Sequence, residues 1–240
     1  MSASGNLLGV IALVALVILC GCAKSPDEVL FATLASRAET GSAEVQYNLG
    51  MLYNNGIGTA PNPTLAFQWF DRAARGGDAL ASYKVGCYYA GQFRDVVSPD
   101  KEKALAYKLV AANAGYMFAQ HDVAIAYSQR GADNEASKWW ELAAAQGDFT
   151  ALVSLAHEAS QGRSLPANAA KAYEYLLEAK RILPESQARQ LQPQLDEQRK
   201  AIDLDAATSA EKTAEAWTPH PTALTMRARE GIEEARRLVK

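Results

Sequence analysis

The chain contains three cysteines, Cys20, Cys22 and Cys87, and two of them sit together near the amino terminus. That is too few for a small scaffold stapled by disulfides. Residues 1–21 contain no Lys or Arg, and the apolar run Leu7–Leu19 is thirteen residues long, short of the roughly 20 that span a bilayer. The formal net charge is −3, and no cluster of basic residues interrupts the balance. Phosphate backbones demand a concentrated positive surface, so nucleic acid is excluded as the main partner. No Gly-Lys-Ser/Thr cradle and no Gly-x-Ser-x-Gly elbow occurs. His157-Glu158 begins like a zinc-protease helix, but Gln161 stands where the second histidine belongs. His121 and His220 have no ligand pattern around them. No cofactor, metal, catalytic set or small-molecule substrate is therefore expected.

What is present is repetition. With Val45, Ala81, Ala119 and Ala151 taken as equivalent starts, the spacings are 36, 38 and 32 residues, a period typical of stacked helical hairpins. Leu49, Val85, Val123 and Leu155 stand four residues after each start, followed by Gly50, Gly86, Ala124 and Ala156. Tyr53, Tyr89 and Tyr127 follow at eight, with Ala159 out of pattern. Spacing of i, i+4, i+8 predicts one buried helix face, and the small residue beside it admits a close neighbour. A second helix in each unit is predicted from Ala66, Ala104, Ala136 and Ala172, with Trp69, Tyr107, Trp139 and Tyr175 three residues on and Ala73, Ala111, Ala143 and Ala179 seven on. Asn62, Asp100, Asp133 and Asn168 are placed to cap these second helices. Gly77, Gly115 and Gly147 follow them, where the chain must turn. Leu183 breaks that series and marks the end of the array.

These residues, above all Leu49-Gly50, Tyr53, Gly56-x-Gly58, Ala66, Trp69-Phe70 and Ala73-Ala74, resemble the Sel1-like repeats, relatives of tetratricopeptide repeats. The resemblance covers roughly residues 43–183 and implies an all-α superhelical solenoid of about four helix-turn-helix units. It also implies a non-catalytic scaffold that binds a protein or peptide. In related solenoids the first helices line the binding surface. Asn48, Lys84, Asp122 and Ser154, three residues after each start, are candidate partner contacts there, with a solvated helix face as the alternative. Tyr88 is a further candidate, outside the repeating stripe. Trp69 and Trp139 are expected in the core and Trp140 partly exposed. The longest loop, Gly91 to Pro99, reads either as surface drift or as a rim contact made by Gln92, Phe93 and Arg94.

The amino terminus carries a second signal. Leu7–Leu19 suits the apolar region of a secretory signal. Leu19-Cys20-Gly21-Cys22 looks like a bacterial lipobox, which makes 1–21 a signal peptide and Cys22 the lipidated first residue of the mature chain. An uncleaved membrane anchor is the alternative. Ala23 after the cysteine, by resemblance to enterobacterial lipoproteins, implies the outer membrane facing the periplasm. Cys87 is then a free thiol beside the packed stripe, expected to be buried and inert.

The remaining divisions are 22–42 as a tether and leading helix, 184–204 as a capping helix, 205–221 as a flexible linker and 222–240 as an amphipathic helix. That last helix is expected either to fold back on the array or to dock into another protein. The function implied is assembly of a cell-envelope complex with an envelope protein or peptide. Regulation of a cell-wall enzyme as an accessory subunit is the alternative.

Overall fold

A computed structural model describes residues 24–163 and 166–239, so the predicted signal segment and Cys22 lie outside the described residues. A leading helix, α1 (Pro26–Ala38), is followed by four helix pairs: α2 (Ala43–Asn55) with α3 (Pro63–Arg75), α4 (Ala79–Tyr89) with α5 (Lys101–Asn113), α6 (Met117–Ser128) with α7 (Asp133–Ala145), and α8 (Phe149–Gln161) with α9 (Ala169–Ile182). No strand occurs among the described residues. The array is the expected all-α solenoid, and no described helix is long and apolar enough to cross a membrane.

Local chemistry sets the boundaries. Ser42, Asn62, Asp78, Asp100, Asp148 and Asn168 each accept a backbone N–H in the first turn of the helix they precede. Gly77, Gly115 and Gly147 take φ of +92°, +91° and +89°, a conformation that side chains oppose, at the same point of each inter-unit turn. Two helix starts depart from the scheme. Asp133 does not cap α7: the short preceding loop puts Ala132 at the capping position, and Asp133 becomes the first helical residue. Helix α6 begins after Tyr116, where the neighbouring units have Asp78 and Asp148, and no side chain of its own unit caps it.

The two helices of a unit meet along small residues. A Cβ added to Gly50 would sit 2.7 Å from the Phe70 ring, and one added to Gly86 would sit 2.8 Å from Lys108 Cγ, so neither position has room for a methyl group. The buried stripe of each second helix differs from the expectation. It runs i, i+4, i+7 through Ala66-Phe70-Ala73 and Ala136-Trp140-Ala143, with Leu176 between Ala172 and Ala179 in the fourth unit. Trp140 is thus a core residue at 6% exposure, while Trp69 and Trp139 flank the stripe half-buried. The equivalent slot in the second unit holds Lys108.

Beyond the array the chain continues helical: α10 (Glu185–Ala188), a 3-10 turn, α11 (Gln192–Lys200), α12 (Leu204–Ala216), α13 (Ala223–Glu230) and α14 (Ile232–Arg237). Leu191 and Leu195 are buried and α11 packs on α9, closing the open end of the solenoid. The 205–221 stretch, expected to be a flexible linker, is instead mostly α12. Asp203 caps it, and buried Ala207, Ala210 and Ala214 form a smooth face that packs against α9. Alanine has the best helix propensity, so an Ala-rich segment with a capping Asp folds once a partner surface is present. The last segment is two helices rather than one, broken at Gly231 with φ +56° and ψ −123°.

Candidate interaction surface

The first helices of units two to four leave one face open, formed by positions two, three and six after each start. Tyr83, Lys84 and Cys87 come from α4, His121, Asp122 and Ile125 from α6, and Val153, Ser154 and His157 from α8; all are half-buried except the exposed His157. Lys84, Asp122 and Ser154 therefore lie on the expected face. Asn48 and Tyr88 do not serve as contacts. Asn48 is 2% exposed and its Nδ2 donates to Glu44 O at 3.0 Å on its own helix. Tyr88 has no exposed surface; its hydroxyl donates to Pro63 O at 3.1 Å and its ring packs between Phe67 and Phe93. It joins unit one to unit two. Phe93 is consequently half-buried, and only Gln92 and Arg94 of the proposed rim contact are exposed.

The middle of this face is polar where the neighbouring units are apolar. Lys108 occupies the slot of Phe70, Trp140 and Leu176, and its ammonium reaches out to Asp122 Oδ2 at 2.7 Å, with 16% of its side chain exposed. The same ammonium lies 5.9 Å from the Tyr83 ring, which meets Tyr116 edge-on at 4.9 Å. Burial pushes the Cys87 thiol up from its ordinary value, against the opposing pull of Lys108, so it is held protonated and unreactive. Burial likewise lowers Lys84. A cavity of about 340 Å³ opens beside Lys108 and Asp122, lined also by Leu105, Ile125 and Arg130. One unit further on, Asp148 caps α8 through Oδ1 while Oδ2 lies 3.2 Å from His121 Nδ1. That contact raises the imidazole above its ordinary pKa despite burial.

The unit-one end of the face is covered by the chain's own tail. His220 N–H donates to Ala145 O at 2.8 Å, and Thr222 Oγ1 donates to Gly115 O at 2.8 Å. Thr225 Oγ1 accepts Met117 N–H at 3.0 Å, supplying the cap that α6 lacks, and donates to Gln146 Oε1 at 2.7 Å. Arg227 pairs with Asp78 at 2.8 Å and with Glu234 at 2.5 Å, its guanidinium 5.3 Å from the Tyr47 ring. Arg236 reaches Asp27 at 3.3 Å, and Leu238 O accepts from Arg37 at 2.7 Å. The tail thus touches three successive inter-unit turns and the leading helix, in the order opposite to the array. Of the two expectations for this segment, it folds back.

Among the described residues no three His, Cys, Asp or Glu side chains group as a metal site. His157 is exposed on the wall of a cleft of about 630 Å³ between α8, α9 and α11. Glu158 is 4% exposed and lines a separate cavity with Glu141 and Tyr175, with Arg163 at 3.6 Å, so the two do not share an environment.

Four capped hairpins with an open first-helix face define a helical-repeat solenoid of the interaction-scaffold type. The Sel1 repeat profile matches residues 43–78, 79–116, 118–148 and 150–181, and the chain belongs to that family. A curated relative, the putative sel1-like repeat-containing protein L21 of Acanthamoeba polyphaga mimivirus, is 34% identical over 104 residues, covering 42% of this chain and 18% of that protein. The chain therefore spans less than a fifth of that relative. Among solved structures, a Sel1 repeat protein from Oxalobacter formigenes superposes with a TM-score of 0.58 at 24% identity, over 79% of this chain and 78% of that one. The protective antigen c5321 of uropathogenic Escherichia coli superposes with a TM-score of 0.50 at 16% identity, over 85% of this chain and 50% of its own. Both are likenesses of fold. Sel1 repeat proteins are generally protein-interaction scaffolds.

Proposed function

We propose that this protein is a non-catalytic scaffold held at a bacterial cell envelope by lipid on Cys22, where the first-helix face of units two to four gathers an envelope protein or peptide. The observation that carries the reading is Lys108. A charged residue in a slot that three sibling units fill with Phe70, Trp140 and Leu176 weakens the seam, and local rules are broken at sites of function. Its pairing with Asp122 puts a fixed dipole on the face beside Lys84 and Tyr83, a combination of charge and amphipathic ring suited to a polar peptide. The Leu19-Cys20-Gly21-Cys22 sequence supports lipid attachment, and Ala23 supports the outer membrane facing the periplasm.

Two measurements test it. Incorporation of alkyne-tagged palmitate in bacterial cells is expected in the native chain and in Cys20→Ser, and absent in Cys22→Ser. Crosslinking from intact membranes with a photoreactive residue at position 84 or 154 is expected to trap a discrete protein, and charge reversal at Lys84, which leaves the Lys108–Asp122 pair intact, to abolish the adduct from position 154 while the helical circular dichroism spectrum is retained. Equal labelling of Cys22→Ser removes the lipid anchor, and adducts that survive the charge reversal remove this face as the contact.

A further inference from the structure

We propose that residues 218–239 are a proton-locked strap: a shared proton between Glu44 and Glu234 holds the tail across the inter-unit turns in mildly acidic surroundings and loosens its hold at neutral pH. The geometry rests on a surplus of acid beneath the strap. Glu234, on α14, is 3% exposed. Facing it are Arg227 from α13, Glu44 and Tyr47 from α2, and Asp78 at the start of α4, with Arg237 and Glu230 alongside on the tail itself. Two guanidinium groups, Arg227 and Arg237, thus serve four carboxylates. The outer ties, Arg236 to Asp27 and Arg37 to Leu238 O, engage the leading helix and do not reach this cluster.

Arg227 is shared between Asp78 and Glu234, so it cannot also neutralise Glu44. The economical arrangement is one proton bridging Glu44 and Glu234. Burial pushes the Glu234 carboxyl up to about 7, with the Arg227 contact opposing and Glu44 reinforcing. Once the tail lifts, Glu234 is an ordinary solvated carboxylate near 4.5. The docked strap therefore binds a proton that the lifted strap does not over the interval between these values. Docking is strongest at the acid end of that interval, weakens about tenfold per pH unit as it is crossed, and levels off above it.

The strap is built for reversible seating. Its two helices are eight and six residues long, too short to persist alone, and they are separated by Gly231. Lifting it uncovers Tyr47, in line with Tyr83, and removes the cap that Thr225 gives α6. The consequence for binding, that unit one joins the open face, rests on the scaffold reading; the proton lock itself does not.

Hydrogen exchange of the full chain, at pH 5.0 and 7.5 and corrected for intrinsic rates, tests the lock through residues 222–238 and the Met117 amide. Protection there is expected to fall at least about tenfold from the lower to the higher pH, beyond the change at the α8–α9 amides, which report the separate response of the His121–Asp148 contact. Glu234→Gln is expected to hold the strap equally at both values. Glu44→Gln, at a half-buried site, is expected to shrink the difference and guards against a folding defect in the first variant. Equal protection of the native strap at both values overturns the proposal, as does a pH response that survives both substitutions.

Discussion

Asp78 divides its carboxylate between two ends of the chain: one oxygen accepts Ala81 N–H at 2.7 Å to cap α4, and the other meets the Arg227 guanidinium of the tail at 2.8 Å. A residue whose repeat-level job is capping has thereby become the anchor for a long-range tie. Removing the cation leaves two buried carboxylates, Asp78 and Glu234, without their partner. Arg227→Met is expected to destabilise the strap by about 2 kcal/mol, less than a fully buried pair because a quarter of the Arg227 side chain is exposed. Asp78→Asn keeps a capping oxygen and is expected to cost about 1 kcal/mol. Chemical denaturation of the two single variants and the double gives the coupling; strictly additive losses would show that the contact contributes nothing.

Thr225→Val removes the hydroxyl while keeping the shape. Met117 N–H and Gln146 Oε1 then lose a partner in a buried setting, and a loss of about 1 kcal/mol is expected, with faster exchange at Met117 and its neighbours but not at Ala81 or Ala151, which Asp78 and Asp148 cap. Uniform loss of protection along the whole array would instead mean that the threonine supports the core at large.

Much of this organisation could be read directly from residue patterns. Leu49, Val85, Val123 and Leu155 announced the buried stripe, and Asn62, Asp100 and Asn168 announced their helices, because each of these effects acts within one or two turns. The second-helix aromatics misled. Trp69 and Trp140 differ by one residue in register, and a helical period of 3.6 does not say which edge of a stripe faces inward until the neighbouring helix is placed. Tyr88 looked free for the same reason: its phenol is satisfied by Pro63 O and Asn54, both in the preceding unit. Ala207, Ala210 and Ala214 carry little periodic contrast, so α12 was hidden. Tyr116 in the place of Asp78 and Asp148 was the one local sign of a cap arriving from elsewhere, visible only as a gap in a series.

Gly50→Ala and Gly86→Ala both overpack an inter-helix seam, with different outcomes. At Gly50 the new methyl meets the Phe70 ring at 2.7 Å, and that ring is wholly buried, so a loss of roughly 1–3 kcal/mol is expected. At Gly86 the nearest atom is Cγ of a flexible lysine, though Ala104 O stands at 3.0 Å behind it, and a loss near the lower end of that range is expected. Thermal melts order the two, and an equal or reversed ranking would show that the backbone rather than the side chain limits the approach.

His121 and Asp148 give the array a second pH response. Its contact with Asp148 raises the His121 pKa above the ordinary 6.5, so the folded state holds the proton more tightly than the unfolded one. The resulting stability is fully present below 6.5 and is lost as pH rises through the higher folded value. His121→Gln is expected to remove this fall while leaving stability above it nearly unchanged. Urea midpoints measured every half unit across neutral pH decide the matter, and a native slope identical to that of the variant would assign the proton elsewhere.

Lys108 sets stability against binding. Joint replacement by Lys108→Leu and Asp122→Leu gives unit two the apolar slot of its siblings and removes a half-buried ion pair whose desolvation offsets much of its attraction. The double variant is expected to gain about 1 kcal/mol, because Leu176 shows that a leucine fits the equivalent space. Lys108→Leu alone strands Asp122 and is expected to gain nothing. The same double variant is expected to lose partner crosslinking from position 84, since the dipole on the face is gone. A variant that is both more stable and equally able to bind would show the lysine to be a tolerated flaw in the seam rather than the centre of the surface.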